Sequence, residues 1–411
     1  MSVEKNVPQI RLKGFSEDWA DRSLGSLCLI GDIDHRMPET KTAGIPYLMT
    51  GDFLGVNGLN FERAKLISVA DYEQLSRKIK PEVGDILFAR YASVGAVRYV
   101  ETEIKFLVSY SCAILKTSNT SYGKFLFYFL QTNRTQCQIE LDINTGSQRN
   151  IGIDSLKNLK VTLPKSEEQI KIGNTFQKLD SLINQHQKKH DKLSSIKKAM
   201  LEKIFPKQGE TTPEIRFKGF SGEWESKVLG SVASFYKGKD LPKSSIKYDG
   251  VYPCIHYGEL FTKYSEVIQI ITSRTNQNDN FFSISNDVLM PTSDVTPKGL
   301  VKSCCVKQNG VVLGGDILVI RPNDQNVIDG AFLSRFIRTR EQQVLQKVTG
   351  STVFHLYASS IENLDIVFPS IEEQKAIGNY FQQLDALINQ HHQQITKLNN
   401  IKQACLSKMF V

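Results

Sequence analysis

Two stretches of the chain carry an apolar stripe at helical spacing. In the first, Ile172, Phe176, Leu179, Ile183, His186, His190, Leu193, Lys197, Met200 and Ile204 follow one another in alternating steps of four and three. In the second, Ile377, Phe381, Leu384, Ile388, His391, Ile395, Leu398, Lys402, Cys405 and Met409 repeat that register. Steps of four and three make a heptad. Each stripe follows a proline, Pro164 or Pro369, with Ser166 and Gln169, or Ser370 and Glu373, at capping-box spacing. No proline interrupts either stretch, and the one glycine in each, Gly173 or Gly378, lies in the first two turns. The pattern predicts two helices of about 37 residues, each about 55 Å long at 1.5 Å per residue. With no other long helix in the chain, each stripe must pair with its twin, packing on its own domain being the alternative. Phe176, Leu179, Ile183, Leu193, Phe381, Leu384, Ile388 and Leu398 are the expected core of the pair. His186 and His190 stand at a zinc-like spacing, but Ile395 replaces the second histidine in the other helix, and no HExxH follows. The polar seam residues, His186, His190, Lys197, His391 and Lys402, are read as fixing register or facing a partner.

The stripes belong to a longer repetition. Pro8–Leu27 (PQIRLKGFSEDWADRSLGSL) and Pro213–Val232 (PEIRFKGFSGEWESKVLGSV) share 11 of 20 positions at an offset of 205 residues. The only two tryptophans, Trp19 and Trp224, coincide. Leu156–Phe205 and Ile361–Phe410 match at the same offset through EEQ, IGN, FQ, LD and LINQH. Twice 205 is 410, so the duplication spans the chain. The sequence divides into domains at 1–163 and 206–368, followed by long helices at 164–205 and 369–411.

Between the matching blocks the halves diverge. Strand-like runs such as Asp85–Ala89 and Asp316–Ile320 alternate with helical runs such as Gly123–Gln136 and Gly330–Gln346, which predicts a mixed α/β (α+β) domain in each repeat. Weak echoes persist at Gly84-Asp85 and Asn286-Asp287, at Gly123 and Gly330, and at Thr145-Gly146-Ser147 and Thr349-Gly350-Ser351. The loops after the strands are rich in residues that bond base edges and phosphates: Arg90, Tyr91, Ser93 and Arg98, then Gln148, Arg149 and Asn150, in the first half. Thr292, Ser293 and Lys298, then Ser351, Thr352 and His355, are their counterparts in the second. Their recurrence at equivalent places in divergent domains marks them as candidate DNA contacts.

Composition narrows the class. The 411 residues are 40% hydrophobic and 23% charged, with a formal net charge of +8, which suits a polyanionic partner without requiring one. Seven cysteines form no CxxC, so they read as reduced thiols in a cytoplasmic protein, and the adjacent Cys304-Cys305 makes a poor metal clamp. The longest apolar run, Phe125–Leu130, is far too short to span a bilayer. No P-loop, GxSxG elbow or zinc spacing occurs, and neither does the NPPY-like tetrapeptide of an amino-methyltransferase. The best nuclease candidate is Asp85 with Glu103-Ile104-Lys105, for which the second half has no counterpart. The expectation is therefore no catalytic residue and no metal.

A direct repeat of variable domain plus long helix, with GFSxxW at each domain start and PxxEEQ–IG–F–LD–LI at each helix start, resembles the specificity subunit of type I restriction–modification systems. The resemblance covers essentially the whole chain. It implies two target recognition domains, each reading one half of a split double-stranded DNA site. It also implies an antiparallel coiled coil that sets their separation with pseudo-twofold symmetry, two docked modification (methyltransferase) subunits, and restriction subunits in the full complex. S-adenosylmethionine and ATP would belong to those partners, so this chain is expected to need no cofactor and to do no chemistry. Half-sites on one face of B-DNA lie roughly 34–36 Å apart, which a 55 Å spacer can bridge. The rival readings are a self-contained nuclease and a coiled-coil adaptor that never touches DNA.

Overall fold

The computed structural model describes residues 7–117, 122–146, 148–278 and 281–411; Ser147, in one of the candidate loops, lies outside them. Two units emerge. One comprises Met1–Lys188 with His392–Val411, and the other Lys189–His391. Each long helix, Ser166–Ile204 or Ile371–Lys408, begins in one unit and ends in the other. The division thus falls within the helices, because each helix end belongs to the core it fills.

In the first unit the strands Cys28–Gly31, Cys112–Thr117, Ile86–Ala89 and Val97–Tyr99 form an antiparallel sheet in that order, with Cys112 opposite Ala89 and Leu115 opposite Ile86. A smaller mixed sheet joins Lys65–Ile67, Ile45–Leu48 and Leu107–Val108, the last two parallel. The second unit repeats the plan with Ala233–Lys237, Ile317–Pro322, Val288–Pro291 and Cys304–Val306, and adds Val267–Ile268 at the edge. The predicted helical runs each break in two. Gly123–Phe129 and Asn133–Leu141 are separated where the Thr132 hydroxyl caps Thr135, and Gly330–Thr339 is followed by Glu341–Leu345.

The weak echoes have a steric cause. Gly84 (φ +97°) and Asn286 (φ +84°) turn the chain into the central strand from the left-handed region. A Cβ on Gly123 would come within 2.7 Å of the Gly84 carbonyl, and one on Gly330 within 2.3 Å of the Asn286 carbonyl. The helix start therefore rests directly on that turn in both units. Asp85 and Asp287 are matching struts. Asp85 accepts from Lys116 Nζ at 2.6 Å and from the Glu82 amide, and Asp287 takes both forks of Arg321 at 2.8 Å with the Ile284 amide.

The strongly matching blocks form one joint, built once per unit. Arg11 grips Glu168 with two bonds of 2.8 and 2.7 Å, and Arg216 grips Glu373 at the same distances. Gln169 donates to the Pro164 carbonyl and accepts from the Tyr122 amide, while Gln374 does the same with Pro369 and Asp329. Ala20–Ser23 pairs with Lys160–Leu163, and Glu225–Val228 with Asp365–Phe368. The capping-box expectation is met only in part. Ser370 Oγ accepts from the Glu373 amide at 3.4 Å, but the Glu373 side chain is taken by Arg216 and that of Gln169 by the domain.

Within the first unit, Phe410 packs its ring against Trp19, Phe125, Phe129 and Phe176, with Leu406 and Met409 beside it. Within the second, Phe205 meets Trp224, Phe332, Phe336 and Phe381. Each helix therefore packs on its own domain through Ile172 and Phe176, or Ile377 and Phe381, and also runs antiparallel against the arriving end of the other helix. Pairing with the twin helix and packing on the domain are thus not alternatives but coexist. Leu179, Leu193, Leu384 and Ile388 join these clusters, and Ile183 is buried. Leu398 and the three seam histidines are half-buried.

The seam lysines close this contact. Lys402 reaches Asp180 at 2.7 Å, where the Tyr128 hydroxyl also donates to the carboxylate, and Lys197 reaches Asp385 at the same distance. Lys402 is 4% exposed, so removing one partner strands a charge away from water. Lys402→Met is expected to lower stability by about 3–5 kcal/mol in denaturant unfolding, and Lys402→Met with Asp180→Leu by much less. Equal losses for the two would refute the stranded-charge account.

Glu266, in the second unit, accepts from Lys197 at 3.0 Å beside Arg338. Burial alone would raise its carboxyl, but Arg338 and Lys197 outweigh it and hold the pKa at about 2. A depressed carboxylate stabilises the folded form above its unfolded pKa of about 4.3 and loses that contribution as pH falls toward 2. Glu266→Gln is expected to flatten the stability–pH curve between about pH 5 and pH 2. An unchanged slope in acid unfolding would count against this.

Candidate nucleic-acid interface

The two loop pairs singled out in each half lie side by side. In the first unit the chain leaves Ile86–Ala89, turns through residues 90–96 and returns in Val97–Tyr99. The turn is tight. Ala89 donates to the Ala96 carbonyl at 2.8 Å, and Ala92 (φ +57°) and Gly95 (φ +90°) occupy the left-handed region. Ala92 has a Cβ, so the conformation is costly there and must be held by its surroundings. A second loop closes on itself where Asn144 and Asn150 exchange backbone bonds of 2.8 and 3.3 Å. Tyr91 bridges to Asn150, and the Ile151 amide donates to the Arg90 carbonyl at 3.1 Å.

The second unit makes the same joint with different residues. Ser293 pairs with His355, which also pairs with Thr349, and the Leu356 amide donates to the Thr292 carbonyl at 3.0 Å. A third loop enters identically in both. The Arg90 amide donates to the Ser111 carbonyl at 2.8 Å, and the Thr292 amide to the Asp316 carbonyl at 3.0 Å. A shared backbone frame thus carries unlike side chains. Ser93, Gln148 and Arg149 are exposed on the first, and Lys298, Ser351 and Thr352 on the second. Tyr91, Asn150, Thr292, Ser293 and His355 are half-buried between the loops. Arg149 is paired with Glu140, and Lys298 lies 3.3 Å from Glu341, so both cations are exposed yet tethered.

A family model described as the type I restriction modification DNA specificity domain matches the chain twice, over residues 16–195 and 221–400. The chain belongs to that family. Among relatives, the type I restriction enzyme MjaIX specificity subunit of Methanocaldococcus jannaschii is 22% identical over 408 residues, covering 90% of this chain and 88% of that protein. The fold is shared with a crystal structure of a type I S subunit from M. genitalium, at a TM-score of 0.66 and 16% identity over 98% of this chain and 99% of that one. A chain from a structural study of assembly and conformational transition in a type I restriction–modification system aligns at a TM-score of 0.50 and 17% identity, covering 94% and 96%.

For this specificity-family chain, two expected contacts need correction. Arg90 is 6% exposed; its guanidinium contacts Asp32, and its Nε donates to the Ile151 carbonyl at 3.0 Å. Arg98 is also buried, at 8% exposed. It donates to the carbonyls of Val97, Gly55 and Gly58 and lies over the Phe53 ring at 5.0 Å. Both arginines hold loops together rather than present a fork to a base. Of the nuclease set, Asp85 is held by Lys116 and Lys105 lies 4.3 Å from the Tyr72 ring centroid. Among the described residues, no helix is long and apolar enough to cross a membrane.

Other basic residues beside the loops escaped the sequence reading. His35 bonds Asp32 at 2.9 Å and stacks on Tyr110 at 4.8 Å, while Lys78 approaches the same carboxylate at 3.5 Å. In the second unit Lys237, Lys239 and His256 line a cavity of about 520 Å³ that reaches Asp316. Only the fold shows that Asp32 joins His35 and Lys78 to Arg90, since nothing in their spacing links them. Arg90→Gln is expected to cost about 1.5–3 kcal/mol and to speed amide exchange across residues 90–96 and 150–151, leaving 86–89 protected. Exchange unchanged in both loops would remove Arg90 from this positioning role.

Proposed function

We propose that each unit reads one half of a bipartite duplex target and that the paired helices fix the spacing between the half-sites. The observation that carries this is the frame of three loops, bonded alike in both units but carrying different exposed side chains. A common scaffold with unlike surfaces fits two readers of different sequence better than two copies of one active site. Ser93, Gln148 and Arg149, with His35 and Lys78, serve the first half-site. Ser293, Lys298, Ser351, Thr352 and His355, with Lys237 and Lys239, serve the second. Arginine and lysine supply phosphate and guanine contacts, and the amides and hydroxyls read base edges.

The chain acts without chemistry of its own, in the cytoplasm, as the DNA-reading member of a complex with two modification subunits and with restriction subunits. Matching exposed apolar residues on the helices, Leu182 with Leu387 and Ile196 with Ile401, support two equivalent docking surfaces. S-adenosylmethionine and ATP enter with those partners. The test is to map methylated motifs in cells carrying the whole system, with and without removal of one heptad, residues 183–189 and 388–394, from both helices. The half-site sequences are expected to persist while the gap between them changes. An unchanged gap would refute the spacer, and a methylation pattern independent of this gene would refute the reading altogether.

A further inference from the structure

The second unit contains a cavity of about 720 Å³ that the DNA-reading role does not use. It is walled by the end of the helix Ser166–Ile204, the segment that follows it, and the helices Gly330–Thr339 and Glu341–Leu345. Its volume falls in the range of small-molecule sites. Five cations line it, Lys198, Lys207, Arg335, Arg338 and Arg340, against three carboxylates, Glu202, Glu266 and Glu341. The carboxylates are largely spoken for. Glu266 is shared by Lys197 and Arg338, and Glu341 lies 3.3 Å from Lys298.

Arg335 is the decisive group. It is 1% exposed, donates to Ala331 at 3.1 Å and to Asp385 at 3.2 Å, and yet its Nε has no partner among the described residues. Asp385 is already bonded to Lys197, so the buried guanidinium shares a carboxylate with a second cation. The Nε has almost no accessible surface, so Arg335 acts on the cavity as a buried positive charge, whose cost an anion bound nearby lowers. Leu201 and Phe205 add an apolar wall, and Arg340 lies 4.6 Å from the Phe336 ring centroid. The first unit has Tyr128 where Arg335 stands, bonded to Asp180 as Arg335 is to Asp385, so the buried cation belongs to one half only.

We propose that this cavity binds a small organic phosphate, its phosphate monoester dianion held by the arginine and lysine side chains and its organic part lying on Leu201 and Phe205. Arginine forks suit phosphate oxygens, and two negative charges balance the excess of two positive ones in the lining. The test is calorimetric titration of the full chain, in buffer free of phosphate and sulfate, with adenosine 5′-monophosphate and with inorganic phosphate. One site per chain is expected, with inorganic phosphate at least about tenfold weaker because it leaves the apolar wall uncovered. Lys198→Glu with Lys207→Glu, both at exposed positions, is expected to weaken the nucleotide by about tenfold or more while unfolding as the parent does. Absence of saturable binding, or affinity untouched by that double substitution, would overturn the proposal. Equal affinity for the two probes would overturn its organic part.

Discussion

The structure depends on a core that each repeat cannot complete alone. Phe410 lies among four aromatic rings of the first unit, and Phe205 occupies the corresponding place in the second. Removing such a ring from a packed cluster costs on the order of 3–5 kcal/mol, a large fraction of a domain's net stability. The neighbouring lysine–carboxylate bonds add direction to this apolar contact. Lys402 bonds the buried carboxylate of Asp180, so a slip of one turn along the helix would break that pair. Packing supplies the energy, and the ion pair supplies the register.

Much of this was legible in the chain, because the joint is built from the residues that recur. Arg11 meets Glu168 and Trp19 meets Phe410 in one unit, as Arg216 meets Glu373 and Trp224 meets Phe205 in the other, and all of these letters recur between the copies. The helices were legible because a heptad free of proline has few other solutions. The seam lysines read in the sequence as fixing register or facing a partner, and nothing in the LD motif marks its aspartates, Asp180 and Asp385, as what they bond.

The candidate site was legible only as loops. The pattern located the turns after the strands and matched them correctly between halves. It could not tell a side chain that faces solvent from one that faces inward, since Arg90 and Ser93 stand three residues apart in one loop. Arg90 is drawn inside by Asp32, a residue distant in sequence, and Arg98 by carbonyls of a hairpin no periodicity announces. The same long-range pairing hid His35 and Lys78. Loop identity is a local property, whereas the direction of a charged side chain is settled by whichever opposite charge the fold brings near.

The placement of Phe410 also bears on how the protein is made. On the ribosome the first unit's strands emerge early, but Trp19, Phe125 and Phe176 stay uncovered until Phe410 has been translated. The earlier segment of matching shape that ends at Phe205 is used by the second unit itself. Vectorial synthesis therefore holds an aromatic cradle open while the second unit's domain is made, a period in which a nascent chain is exposed to aggregation and to chaperones.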